Sequence, residues 1–200
     1  MTRPDLAHIE EWGKGMWNVF DRLAMRSRTA GLSKSDVSIL DHEEAEVLDV
    51  FRRYHYLYDA GNLDGVVSIF SDDCVLLNPR GTYIGSEAIR ENYAYLMDRT
   101  RFVLHYGTNT LVRFDRGMTQ AWLGAFYSAA IVMPDKSSYS GGGTYMKRLR
   151  KQDGEWKVFE ARITGNMKFD NQVGPPGKSS PPKGTHPRKS GELIEETARL

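Results

Sequence analysis

Asp59, closing an apolar helical stripe, and His105, near the start of a strand-like run, are residue types that proton transfer uses. A carboxylate that accepts one imidazole N–H orients the ring and fixes its tautomer. The second nitrogen can then take a proton from carbon or oxygen without metal or cofactor. Elimination is the chemistry this equipment serves most directly. Tyr54 and Tyr58 precede the carboxylate at an i, i+4 spacing, so their phenols share one helix face and can polarise a carbonyl or hold a departing hydroxyl. If Phe102 to Phe114 is one strand, Val103, His105, Gly107 and Asn109 share one side, and Leu104, Tyr106 and Thr108 the other. Asn109 is then expected beside His105 in one cavity, with Gly107 removing bulk where a ligand approaches. A plainer reading stays open at this level: a lone strand histidine is more often a satisfied core or edge group, and tyrosines at helical spacing more often pack a core.

The elements that must hold these groups follow from periodicity. Ile9, Trp12, Met16, Phe20 and Leu23 predict an amphipathic helix over residues 5–28. Residues 29–38 read as a polar connector, and Asp41-His42-Glu43-Glu44 reads as a capping box opening the main domain. From there Val47, Phe51, Tyr54 and Tyr58 keep one face until Gly61 ends the helix, and Asn62 caps a short second helix. Residues 74–77 and 82–84 flank Asn78-Pro79-Arg80-Gly81 as a hairpin. A third helix runs from Ala88 to Arg99, followed by strand-like runs over 102–114, 119–133, 138–150 and 155–164. Helices first and a long antiparallel meander after them make an α+β chain. Its organisation reads as a helical extension over 1–40, a main domain over 41–170 and a Pro/Gly-rich tail over 171–200.

Composition removes several function classes. Lys and Arg number 27 against 26 Asp and Glu, so the net charge of +1 provides no field to gather nucleic acid or an anionic membrane. The basic run Lys147 to Lys151 reads as a solvated strand end. No apolar stretch has the length of a membrane span, and the first residues lack a signal-like apolar region, so the expectation is a soluble, cytoplasmic protein. The single cysteine, Cys74, excludes an internal disulfide or a cysteine-based metal site, and it reads as a buried, inert thiol. His8 and His42 stand at helix starts, His55 on the flank away from the stripe and His186 in the tail; no pair has metal-ligand spacing.

On these residues the chain resembles the SnoaL-like branch of the nuclear transport factor 2 superfamily. Leu104-His105-Tyr106-Gly107-Thr108-Asn109 is similar to the segment around the catalytic histidine of its lindane-type dehydrochlorinases. Tyr58-Asp59 resembles the Tyr-Asp pair of its scytalone-type dehydratases, and Tyr54 matches the active-site tyrosine of its bile-acid dehydratases. Asp153 to Lys157 resembles the group's last hairpin, and the likeness spans about residues 42–168. It implies a cone, in which three helices close a curved antiparallel sheet around a pocket, and a homo-oligomer, commonly a trimer. It further implies cofactor-independent loss of water or hydrogen halide from a small aromatic substrate, with Asp59, His105, Tyr54 and Tyr58 catalytic.

Arg162 is similar in place to a functional arginine of the dehydrochlorinases, offset by about one residue, and Asn78 stands where the scytalone-type enzymes keep a water-binding tyrosine. The second histidine of those enzymes has no counterpart in residues 121–133, and the bile-acid enzymes' second aspartate is also missing, so neither natural substrate is implied. A lignin diarylpropane lyase in the same superfamily expels a benzylic hydroxyl and then formaldehyde to leave a stilbene. The aromatic supply of Tyr54, Tyr58, Tyr106, Trp122, Phe126 and Tyr127 is compatible with such a bulky diaryl substrate. The expected substrate-contacting set is therefore Asn78, Tyr106, Asn109, Trp122, Phe126 and Arg162. A noncatalytic binding module, or an isomerase using the same base, are the competing readings.

Overall fold

The computed structural model describes residues 31–115 and 117–171, together with residues 24 and 27–29. Most of the expected N-terminal helix, and the tail beyond residue 171, lie outside the described residues. The α+β architecture expected from the sequence is the one observed: helices set against a curved, unclosed sheet of six strands. In chain order the elements are α1 (Lys34–Asp59), α2 (Leu63–Ser68), β1 (Phe70–Asn78), β2 (Gly81–Ile84), α3 (Ser86–Asp98), β3 (Phe102–Phe114), β4 (Gln120–Val132), β5 (Ser138–Gln152) and β6 (Glu155–Asn171). Their order across the sheet is β2-β1-β6-β5-β4-β3. Every neighbouring pair is antiparallel except β1 with β6, which run parallel, with β2, α3 and the three strands β3 to β5 between them in the chain.

Helix α1 begins earlier than the capping box at Asp41 suggested. Ser33 is the N-cap: its side chain accepts the N–H of Asp36, and the Asp36 carboxylate accepts the N–H of Ser33. An Asp in the third position does the reciprocal work that Glu or Gln usually does, which is why the start went unread. Asp41 and Glu44 are instead bound by the Arg28 guanidinium on the helix surface. At the other end Gly61 takes a positive φ of 69° and stops the helix as expected, and Asn62 Oδ1 then caps α2 by accepting the Gly65 N–H at 2.8 Å.

The apolar face of α1 supplies Val47, Val50, Phe51 and Tyr54 to a core completed by Leu76, Ile89, Tyr93, Leu123, Tyr145, Leu149 and Val158. Glu43 anchors the helix to the last hairpin, accepting Lys151 Nζ at 2.6 Å and Trp156 Nε1 at 2.8 Å. Against β3 the helix approaches closely at Gly107. A Cβ there would lie 2.6 Å from His55 Cε1 and 2.8 Å from Phe51 Cε1. The missing side chain at Gly107 therefore makes room for the helix rather than for a ligand, which corrects the expectation drawn from its place in the strand. Closing that gap is what brings the C-terminal end of α1 against the start of β3.

Candidate active site

Asp59 is the last residue of α1, and the close helix–strand approach at Gly107 sets its carboxylate beside β3. One oxygen, Oδ2, accepts the backbone N–H of His105 at 2.8 Å; the other, Oδ1, is 2.6 Å from His105 Nδ1. An ionised carboxylate only accepts, so Nδ1 carries the hydrogen and Nε2 of a neutral ring keeps its lone pair. The two side chains are 17% and 11% exposed, so the pair is shielded yet open at one edge. Tyr58 meets the imidazole edge-on at 5.0 Å between centroids, and His55 stacks on its far face at 5.6 Å with an 11° interplanar angle. The ring is thus fixed by a carboxylate, a phenol and a second imidazole.

His105 lines a cavity of about 570 Å³. Its aromatic wall is made by Tyr54, Tyr58, Tyr93, Tyr127, Tyr139 and Tyr145, and Asn78 and Arg80 stand on another side. Asn78 Nδ2 donates to Asn92 Oδ1 at 3.2 Å, while Asn78 Oδ1 accepts the Arg80 N–H at 2.9 Å. The residues lining the cavity include no carboxylate. Burial pushes the Tyr58 phenol up to about 12, helped by Tyr139 and Asp59, and burial also raises the Tyr54 phenol well above its ordinary value. Both phenols therefore stay protonated through neutral pH and cannot serve as the base, whereas the imidazole can accept a proton.

The structure gathers part of the expected site and disperses the rest. Asp59 and His105 touch, and Tyr54, Tyr58 and Asn78 line the same cavity. Tyr106, Asn109, Trp122, Phe126 and Arg162 do not line it. The reason for four of them is strand parity. On β4 the inward positions are Ala121, Leu123, Ala125, Tyr127 and Ala129, so Trp122 and Phe126 face the other way. The alternation that turns His105 inward turns Tyr106 outward, where it is 54% exposed. Arg162 likewise sits between the inward Ala161 and Ile163. Asn109 is exposed at positive φ, at the bulge where the β3–β4 register slips. These five positions therefore lie outside the wall that includes His105.

Two residues that the sequence reading set aside lie under the cavity instead. His55 is buried, and its Nε2 has no hydrogen-bond partner; burial, with Lys147 and His105 nearby, pushes the imidazole down to about 3. Lys147 is 2% exposed and its Nζ is likewise without a hydrogen-bond partner. The signal for Lys147 was available, because on β5 it shares strand parity with Tyr145 and Leu149, both core positions. Cys74 is a buried free thiol with its ionisation pushed up by burial, as expected. Among the described residues no group of three or more His, Cys, Asp or Glu is placed to hold a metal ion, and no helix is long and apolar enough to cross a membrane.

Residues 42–162 match the SnoaL-like domain. No curated protein matches the chain in sequence. Solved structures with the same fold include a candidate scytalone dehydratase from Novosphingobium aromaticivorans, 20% identical, covering 73% of this chain and 99% of its own with a TM-score of 0.62. A type 3 hexachlorocyclohexane dehydrochlorinase from Novosphingobium barchaimii is 20% identical over 69% of this chain and 95% of its own, with a TM-score of 0.61. A candidate aromatic ring hydroxylase from Novosphingobium aromaticivorans is 21% identical over 65% and 94%, also with a TM-score of 0.61. At these identities the likeness establishes the fold.

Proposed function

The chain belongs to the SnoaL-like domain family, and from that premise we propose that it is a cofactor-independent lyase acting on a hydroxylated aromatic substrate. The observation that carries the reading is the two-point grip of Asp59 on His105 at the wall of a tyrosine-lined cavity. His105 Nε2 takes a proton from the substrate, the released electron pair forms the new double bond, and the carbon–oxygen bond breaks. Tyr54 or Tyr58 donates a hydrogen bond to the departing oxygen, which leaves as water with the proton held by His105. Two of the structures sharing the fold are named for scytalone dehydration and for dehydrochlorination, which supports elimination as the reaction class.

The finer reading is a lignin-derived diarylpropane that loses water and then formaldehyde. A para-phenol on the substrate gives up its proton and its oxygen electrons push out the benzylic hydroxyl, which takes up a proton and leaves as water, giving a quinone methide. His105 then removes the proton of the primary alcohol; the C=O of formaldehyde forms as the carbon–carbon bond breaks, and the released pair makes the stilbene double bond and restores the phenolate. The aromatic wall of six tyrosines suits a substrate with two rings. We propose Asn78 as a further substrate contact, and a homo-oligomer, trimeric by the family resemblance. Phe102, Leu104, Tyr106 and Phe126, exposed on β3 and β4, would supply apolar surface for the contact between copies.

Incubating the protein with hydroxylated aryl monomers and dimers, while following ultraviolet absorbance and released formaldehyde, tests the reaction. New conjugation with loss of water, with or without formaldehyde, is expected. Conversion without any loss would make the protein an isomerase, and tight binding without conversion would make it a binding module.

A further inference from the structure

Lys147 is the least explained side chain of the core. It projects from β5 beneath the cavity, 2% exposed, with Nζ unpartnered and in no ion pair among the described residues. Its nearest aromatic face is that of Tyr54, whose ring centroid lies 3.5 Å from Nζ; the Tyr145, Phe51 and Phe70 rings stand farther off, at 5.4, 5.6 and 5.9 Å. Burying an amine without an acceptor opposes folding, and an apolar side chain of the same length would fill the slot without that penalty. The cationic group instead sits directly under a phenol that lines the cavity.

Tyr54 is set up to donate. Tyr93 Oη donates to its oxygen at 3.1 Å, and the Tyr145 hydroxyl is a second hydrogen-bond neighbour that acts on it in the same sense, so its own hydrogen can go to an oxygen in the cavity. A cation against a ring face attracts the π electrons and stabilises negative charge growing on the phenol oxygen. We propose that Lys147 is a positioning residue whose ammonium, pressed on the underside of Tyr54, holds that ring and strengthens its hydroxyl as a donor to the departing oxygen of the substrate. This rests on reading the cavity as an elimination site.

The groups facing Lys147 define its titration. From α1 come Tyr54 and His55, from β1 Cys74, and from its own strand Tyr145, with Tyr93 of α3 behind Tyr54; Leu123 of β4 and Ala161 of β6, paired with it in the sheet, carry no charge. No carboxylate faces it among these. Burial pushes the amine down to about 7, so its charge over Tyr54 changes close to neutral pH.

The test uses the full chain carrying tyrosine labelled with carbon-13 at Cζ, with the Tyr54 signal identified by its loss in Tyr54→Phe. Titration from about pH 5 to about pH 10 should move that signal in a step centred near neutrality. The step should vanish in Lys147→Met and persist in His105→Ala, which removes the other cavity base. A step surviving in Lys147→Met, or no step in the unaltered protein, would overturn the inference, and the second outcome decides even if the variant fails to fold. Because the titration needs no substrate, a protein that shows the step but converts nothing would retain this coupling and lose only the lyase reading. With a working substrate, Lys147→Met should lower kcat about tenfold when Tyr54 is present and have little effect in a Tyr54→Phe background.

Discussion

Asp59 grips His105 twice, taking its main-chain N–H on one carboxylate oxygen and its ring Nδ1 on the other. The ring contact orients the imidazole; the main-chain contact ties the carboxylate itself to the strand that carries the ring. The imidazole cannot turn away without giving up its contact with Oδ1, and the main-chain bond to Oδ2 keeps the carboxylate in place to make that contact.

That grip depends on the closeness of α1 and β3 at Gly107. Gly107→Ala places a methyl within 3 Å of both His55 and Phe51, and overpacking of this kind costs about 1–3 kcal/mol. The expected outcome is a lower melting temperature together with a loss of turnover larger than the stability change explains, because separating helix from strand moves Asp59 away from His105. Melting curves and steady-state kinetics on the same preparation check it.

Lys147 should reveal itself by making the protein less stable than it need be. Replacing it with Met removes an unpartnered buried amine and should stabilise the fold by about 1–4 kcal/mol. The pH dependence has a definite sign. Between about 7, where burial sets the folded amine, and the ordinary lysine value of 10.5, the unfolded chain holds a proton that the folded chain does not. Stability from this group therefore rises with pH across that window, with a slope of up to about 1.4 kcal/mol per pH unit. Urea unfolding at several alkaline pH values should show the slope in the unaltered protein and its loss in Lys147→Met.

His55 gives the mirror prediction on the acid side. Its imidazole is pushed down to about 3 in the fold against an ordinary 6.5, so between those values only the unfolded chain is protonated. Stability from His55 is complete above 6.5 and falls as the solution is acidified through the window. His55→Phe keeps a flat ring against His105 and should flatten the acid limb of the unfolding profile. An unchanged limb would mean that other groups set the acid sensitivity.

The fold was readable because its elements advertise themselves: the α1 stripe ending at Gly61, the Asn62 cap and the turns between strands lie where the sequence pointed, although β1 begins at Phe70, before the expected run, and β6 continues past it to Asn171. The apposition of Asp59 and His105 was legible through motif likeness rather than spacing, since 46 residues separate them and only the tertiary fold brings them together. Trp122 and Phe126 enter the aromatic supply without the two-residue period of the strands, which sends both outward, and Tyr106 enters it although that period already sets it opposite His105. His55 stands on the flank away from the α1 stripe and Lys147 in a basic run that reads as solvated, whereas the burial of a helix or strand face is decided by the neighbours that cover it.

The most direct test of the central claim is turnover by His105→Ala and by Asp59→Asn, each checked for an intact fold, on a substrate that the unaltered protein converts. If the imidazole is the base and the carboxylate its orienter, both variants should lose about a hundredfold to ten-thousandfold in kcat with the fold preserved. Turnover within a few-fold of the unaltered protein in either variant would contradict the account.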